Sequence, residues 1–237
     1  DDVKIRGKFD LIVSELFGQD ALGENTVKSF VTLRNRFLAP NGVLIPQKLS
    51  MFAAPVRVSK SIQDVPSGLP ISCNYLKSLK YNYASMLPIE RRSETEILGD
   101  PALLTEIEFQ TIDSAPSVNN LSASWQMDNL SEANAIAVFN NSTFTDEIVM
   151  NSFNSQSWGT TVYEFQPVAD KAGRLHFNIN MDGNKSIWSM TTITEAGTKP
   201  QNYSPTFTPA RIKMAQQMTP HRKFKPPIVE EKIKSKK

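Results

Sequence analysis

The run Phe9, Leu11, Ile12 and Val13, followed at once by Ser14 and Glu15, constrains this chain more than any other stretch. Its apolar residues are continuous rather than alternating, the texture of a strand covered on both faces of a parallel sheet. Such a strand needs neighbours, yet only seven residues precede Lys8, too few for one βα unit. The chain is therefore expected to begin inside a domain. In open α/β sheets the working groups gather beyond the carboxyl ends of the strands, which is where Ser14 and Glu15 stand. A second carboxylate, Glu24, follows nine residues after Glu15. No glycine-rich strand-to-helix turn of the kind that cradles a nucleotide occurs in the chain, so a cofactor of this fold is expected to be bound mainly by residues outside it.

With 237 residues, 40% of them hydrophobic, the chain can build a real core. A single cysteine, Cys73, excludes an internal disulfide framework. There is no secretory segment and no apolar run long enough to span a bilayer, so a reducing compartment, cytoplasm or nucleus, is expected and no membrane. The formal charge of +2 conceals an asymmetry. From Lys199 onward ten basic residues face two acidic ones, a surplus of +8 that leaves the rest at −6. That stretch also carries six prolines and few bulky residues, so residues 198–237 are expected to form a basic, largely extended tail. Contact with nucleic acid or another acidic surface is one use for it; a solubilising linker is the other.

After the first strand, Val27, Phe30, Val31 and Phe37 recur at near-helical spacing, predicting a helix over 24–38. Pro40-Asn41-Gly42 should stop it, and residues 43–45 read as a short strand ended by Pro46. From there the pattern changes to recurrent strands with turn signals between them: 49–58, 103–112, 121–127, 135–139, 147–151, 160–165, 175–181 and 186–194. The clearest alternation is Leu175, Phe177, Ile179, Met181, and Asp182-Gly183-Asn184 reads as a hairpin turn. The expected fold class is α/β plus all-β: the C-terminal remnant of a Rossmann-like sheet in residues 1–46, then an antiparallel β-barrel or sandwich over 47–197. Residues 59–99 are less regular and rich in tyrosine, leucine and proline, consistent with an interaction arm or with an ordinary connection packed on its own barrel.

Taken singly, the candidate residues have plain readings. Glu24 is an acid suited to a helix N-terminus, Glu15 a solvated strand end, and Trp158 a core tryptophan. Trp158 nevertheless sits in NSQSWGTT, a setting for a loop rather than a strand centre. His176 alternates out of a strand, His221 lies in the tail and Cys73 is remote from both, so no metal site is expected.

SELFGQDALGE, residues 14–24, resembles the double-glutamate loop of the protein arginine N-methyltransferases, with Glu15, Gly18 and Glu24 at that loop's positions. The helix after it, the LAPNGVLIP turn and the switch to an all-β domain follow the same order. LSMFAAPVRVSKSIQDV, at 49–65, and SIWSM around Trp188 are similar to the symmetric-dimethylating branch. Where most of the family has Thr-His-Trp, this chain has Gln156-Ser157-Trp158; the symmetric branch also has Ser-Trp there, but after a phenylalanine. The resemblance implies Glu15 and Glu24 as catalytic residues gripping a substrate guanidinium, Ser157 and Trp158 as substrate-binding residues, and Ser14 beside the cofactor, S-adenosylmethionine. It implies arginine-rich protein substrates and a homodimer or hetero-complex formed through an arm in 59–99. Without the cofactor half, the chain alone is expected to be nearly inactive.

The pairing of carboxylates suits that chemistry. A guanidinium is flat, forked and permanently charged, so two carboxylates can hold it from two sides and fix one terminal nitrogen for in-line displacement. They also draw positive charge from that nitrogen, and one of them, or a water, can take the departing proton. Two other readings stay open: a non-catalytic relative that serves as partner or regulator of an active methyltransferase, and a β-sandwich binding module with a basic tail.

Overall fold

In a computed structural model, the described residues are 6–16, 22, 26–59, 81, 84–87, 89–114, 120–166, 168–182 and 185–203, all within the compact unit Asp1–Pro205. The chain opens with β1 (Phe9–Val13), α1 (Thr26–Phe37) and β2 (Leu38–Ile45). β1 and β2 pair in parallel, Leu11 opposite Val43 and Val13 opposite Ile45. The expected helix and strand are both present, with one difference. Strand β2 begins directly after the helix, because Asn41 takes a left-handed φ of 67° and the register shifts between Phe9 and Leu11, so Pro40-Asn41-Gly42 is accommodated inside the strand.

β1 differs from its expected burial. It is 52% exposed at Leu11 and 65% at Val13, and only Ile12 turns inward. Among the described residues β2 is its one strand partner and α1 covers one face, so the apolar run lacks the second cover that its composition suits.

The rest is antiparallel. β3 (Lys48–Val58) is the axis of a seven-stranded sheet ordered β4 (Ala84–Met86), β10 (Thr161–Glu164), β8 (Ala135–Thr143), β3, β5 (Thr95–Ile97), with β6 (Ala102–Glu108) also on β3 and β9 (Val149–Asn151) on β8. A four-stranded sheet runs β13 (Gly197–Tyr203), β12 (Lys185–Thr194), β11 (Gly173–Asp182), β7 (Leu121–Met127). The two sheets share one core. Met51, Ala53, Ile136, Val138 and Tyr163 from the first meet Trp125, Leu175, Phe177, Ile179 and Trp188 from the second. Tyr163 lies at its centre, 5.6 Å from the ring of Phe177 and 4.9 Å from that of Trp188. The alternation of Leu175, Phe177, Ile179 and Met181 thus faces inward as its period requires, while the half-buried His176 bonds Ser124 across the outer face. The opposite face of the larger sheet is also covered, with Ala54, Val56, Ala137 and Phe139 in a separate cluster.

Three elements lie where no strand was expected. β4 and β5 come from residues 59–99, so both belong to the sheet rather than to a separate arm; residues 60–80 of that segment lie outside the described residues. β13 takes in Lys199 and Pro200 from the expected tail. It survives its proline because it is the sheet's edge strand, where a residue lacking an N–H is tolerated. Strand β8 also runs past Phe139 through Asn140 and Ser142, both buried, with the Asn140 amide donating to Ser152 Oγ at 2.9 Å. None of the helices among the described residues is long and apolar enough to cross a membrane.

Only Pro46 and Gln47 separate β2 from β3. Gln47 donates its amide to the Thr143 carbonyl at 2.7 Å, and its carbonyl accepts from the Phe109 amide at 2.9 Å.

Candidate active site

β1 ends at Val13, and the Ser14 amide continues its ladder by donating to the Ile45 carbonyl at 2.9 Å. Glu15 follows in irregular backbone with its side chain exposed. The Leu16 carbonyl then accepts a hydrogen bond from the Thr26 hydroxyl, which ties the start of the loop to the buried first residue of α1. Gly18 and Glu24 lie outside the described residues. A strand end and a helix start are thus tied together at Leu16 and Thr26.

The candidate tryptophan comes from the barrel. Trp158 is half-buried in the segment between β9 and β10, while Gln156 and Ser157 before it are exposed. The Ser157 and Trp158 amides both donate to Ser155 Oγ, at 3.1 and 3.0 Å, curling the segment into a tight turn. The indole stacks on Phe144, ring centroids 6.3 Å apart and planes inclined by 23°. Phe144 carried no signal in the sequence, since it stands alone among polar residues.

A small apolar cluster joins the two regions. Val27 and Phe30 of α1, Leu38 and Leu44 of β2, and Leu49, Ile107 and Phe109 of the barrel are buried together, with Ile12, Leu22 and Trp158 packed against them. Phe30 and Phe109 stack at 4.1 Å. Arg34 donates to the Phe109 carbonyl at 2.9 Å, and Gln110 to the Gly42 carbonyl at 3.1 Å. Ile12 and Leu22 flank Glu15 in sequence, so the barrel tryptophan and the loop carrying that carboxylate rest on one core.

The match to a methyl donor is partial. Ser14 stands at the strand end where the cofactor is expected, but its amide is spent on Ile45, and the described residues offer no glycine-lined cradle for an adenosyl group.

Comparison with known proteins agrees with this arrangement. No family model matches the chain. Probable protein arginine N-methyltransferase 6.2 of Oryza sativa subsp. indica is 28% identical over 138 residues, 56% of this chain and 35% of that protein. Probable protein arginine N-methyltransferase 6 of Arabidopsis thaliana is 30% identical over 117 residues, 47% of this chain and 27% of that protein. In sequence and in fold the chain is similar to protein arginine N-methyltransferases. The fold agrees. The Trypanosoma brucei PRMT1 enzyme-prozyme heterotetrameric complex with AdoHcy superposes with a TM-score of 0.66 over 85% of this chain and 70% of that one, at 20% identity. Arabidopsis thaliana protein arginine methyltransferase 10 gives 0.63 over 85% and 71%, at 18% identity. The sequence matches span about a third of these curated methyltransferases, so each likeness reaches only part of them.

Proposed function

We propose that this chain is the arginine-gripping half of a protein arginine methyltransferase, with Glu15 and Glu24 holding the guanidinium and Trp158 walling the pocket. The observation that carries it is the shared cluster on which Ile12, Leu22 and Trp158 pack, because it sets the Glu15 loop and the indole on one foundation. Glu15 reaches solvent from a strand end, free to meet an incoming cation. A carboxylate pair there would lower the cost of drying a guanidinium and turn one nitrogen toward the methyl donor. The indole would lie along the side chain's alkyl stem or guanidinium face, and Ser157, exposed beside it, would contact the flanking peptide. S-adenosylmethionine supplies the methyl when bound, with Ser14 at the edge of its site.

The test is methyl transfer to an arginine-rich peptide by the longest product of the gene, comparing Glu15→Gln and Glu24→Gln with the parent. Each amide keeps the shape and loses the charge, and the expected loss in rate is on the order of 100-fold. Parent-like rates in either variant would remove that carboxylate from the mechanism. The dimethylarginines released from the same reaction share one mass, so their separation by chromatography and by fragment ions decides the symmetric branch that residues 49–65 and Ser157-Trp158 favour.

A second reading is a catalytically silent subunit that supports an active methyltransferase. It is favoured by Gln156-Ser157 in place of the family's Thr-His and by the enzyme-prozyme assembly of the T. brucei neighbour. Under that reading the Gln variants change nothing, while adding the chain to an active relative raises that relative's rate.

A further inference from the structure

The segment that presents Trp158 lies outside the sheet ladders, between Asn151, where β9 ends, and Thr161, where β10 begins. Its amides at 157 and 158 turn inward to Ser155 Oγ. Its carbonyls at 155 and 158 turn the other way, and both are met by one side chain: the Arg92 guanidinium donates Nη1 to the Ser155 carbonyl and Nη2 to the Trp158 carbonyl. Arg92 belongs to the 3-10 turn Ile89–Glu94, which stands between β4 and β5 and is anchored through them on β10 and β3.

We propose that Arg92 is the positioning residue of the Trp158 turn, a rigid fork that spans two carbonyls three residues apart and so fixes the direction in which the indole faces. Close packing does not perform that task alone, because a cavity of about 300 Å³, lined by Arg92, Phe153, Ser155 and Gln156 among others, lies beside the turn. The two guanidinium bonds therefore hold the backbone where side chains leave space. Burial pushes the Arg92 pKa down from its ordinary value, the mark of a cation drawn out of water to serve backbone acceptors. Only the fork can do this. A lysine ammonium is a compact donor without the fixed planar spread of two nitrogens, so it can serve one carbonyl well but not hold the interval between two.

The consequence for the reaction rests on the reading of Trp158 as the wall of the arginine pocket, and the test separates the two. The full 237-residue chain is labelled with 5-fluorotryptophan, which gives one fluorine line each for Trp125, Trp158 and Trp188, with Trp158→Phe to assign the middle one. In Arg92→Lys and Arg92→Ala the Trp158 line is expected to shift and broaden while the other two stay and the melting midpoint holds. In the parent chain an arginine-rich peptide is expected to move the same line, and in Arg92→Lys to bind about tenfold more weakly, the scale of one lost charge-assisted hydrogen bond. An unmoved Trp158 line in both Arg92 variants overturns the inference, as does displacement of all three lines together, which would make Arg92 a folding residue. Where the peptide does move the Trp158 line in the parent, unchanged peptide affinity in Arg92→Lys overturns it too. If the peptide leaves Trp158 unmoved in the parent while Arg92→Lys still displaces it, the pocket reading fails and Arg92 is a fastener without a part in the reaction.

Discussion

The opening α/β segment and the barrel are built on opposite terms. The barrel closes its own core between two sheets, with Tyr163, Leu175, Phe177 and Ile179 almost wholly shielded from water. β1, α1 and β2 close nothing by themselves: β1 is exposed, and the buried side chains of α1 find cover in Leu49, Ile107 and Phe109, which the barrel lends. The lesson is that the end of the molecule carrying the candidate carboxylate Glu15 is its dependent part. Glu15 sits on the segment that borrows its core, Trp158 on the one that lends it, and the cluster between them is at once the fold's junction and the site's foundation.

That contrast breaks most directly through matched core deletions. Phe177→Ala and Phe109→Ala each remove a fully buried ring, so each should cost about 3–5 kcal/mol in urea unfolding. They should differ in reach. Phe177→Ala is expected to weaken hydrogen-exchange protection throughout β7, β11 and β12, whereas Phe109→Ala opens α1 and β1 and spares β11. Equal loss of protection in β11 from both would show one cooperative core and end the distinction between lender and borrower.

A smaller effect sharpens the same boundary. Thr26→Val keeps the volume of a buried side chain but removes the bond from its hydroxyl to the Leu16 carbonyl, costing about 1 kcal/mol. Faster exchange is expected in the first turn of α1, with the barrel unaffected. Under the arginine grip proposed above, the same change should raise KM for the peptide more than it lowers kcat, since it loosens the Glu15 loop without touching its charge. A barrel that loses protection to the same degree would place Thr26 in the common core instead. At the far end of the scale, Lys199→Ala breaks an ion pair with Asp170 at 2.8 Å on the barrel surface. Its lysine is mostly exposed, so the expected loss is below about 1 kcal/mol and fades with added salt. A larger, salt-resistant loss would make the pair a structural clamp on β13 rather than a surface contact.

Legibility in the sequence followed the same division, for physical reasons. The barrel announced itself where alternation was strong, as in 175–181, because a strand with one buried face must repeat every second residue. It was silent where pairing rather than apolar content makes the strand. Asn140 and Ser142 are polar and buried, satisfied by hydrogen bonds that no hydropathy pattern displays. Ala84–Met86 and Thr95–Ile97 are too short to show a period, and Pro200 disguised β13. The β1 run was legible as a strand but misleading about its cover, since composition reports the environment a segment suits, whether or not the described chain supplies it. In the site, the carboxylate at a strand end and the loop tryptophan could be picked out by residue type and setting. Phe144 and Arg92 could not, because a lone phenylalanine and one arginine of a charged IERRSE turn carry no periodic mark of what they touch.

The two-residue link between β2 and β3 has a mechanical consequence. Ser14 is registered to Ile45 by a backbone bond, and Gln47, two residues further on, is clasped by Thr143 on one side and Phe109 on the other. There is no slack in that tether. The jaw that carries Glu15 is therefore indexed to the barrel residue by residue, and opening it wider would mean unpicking a sheet rather than swinging a hinge. Lengthening the tether by a few glycines is the direct way to learn how much of the proposed grip is owed to its shortness.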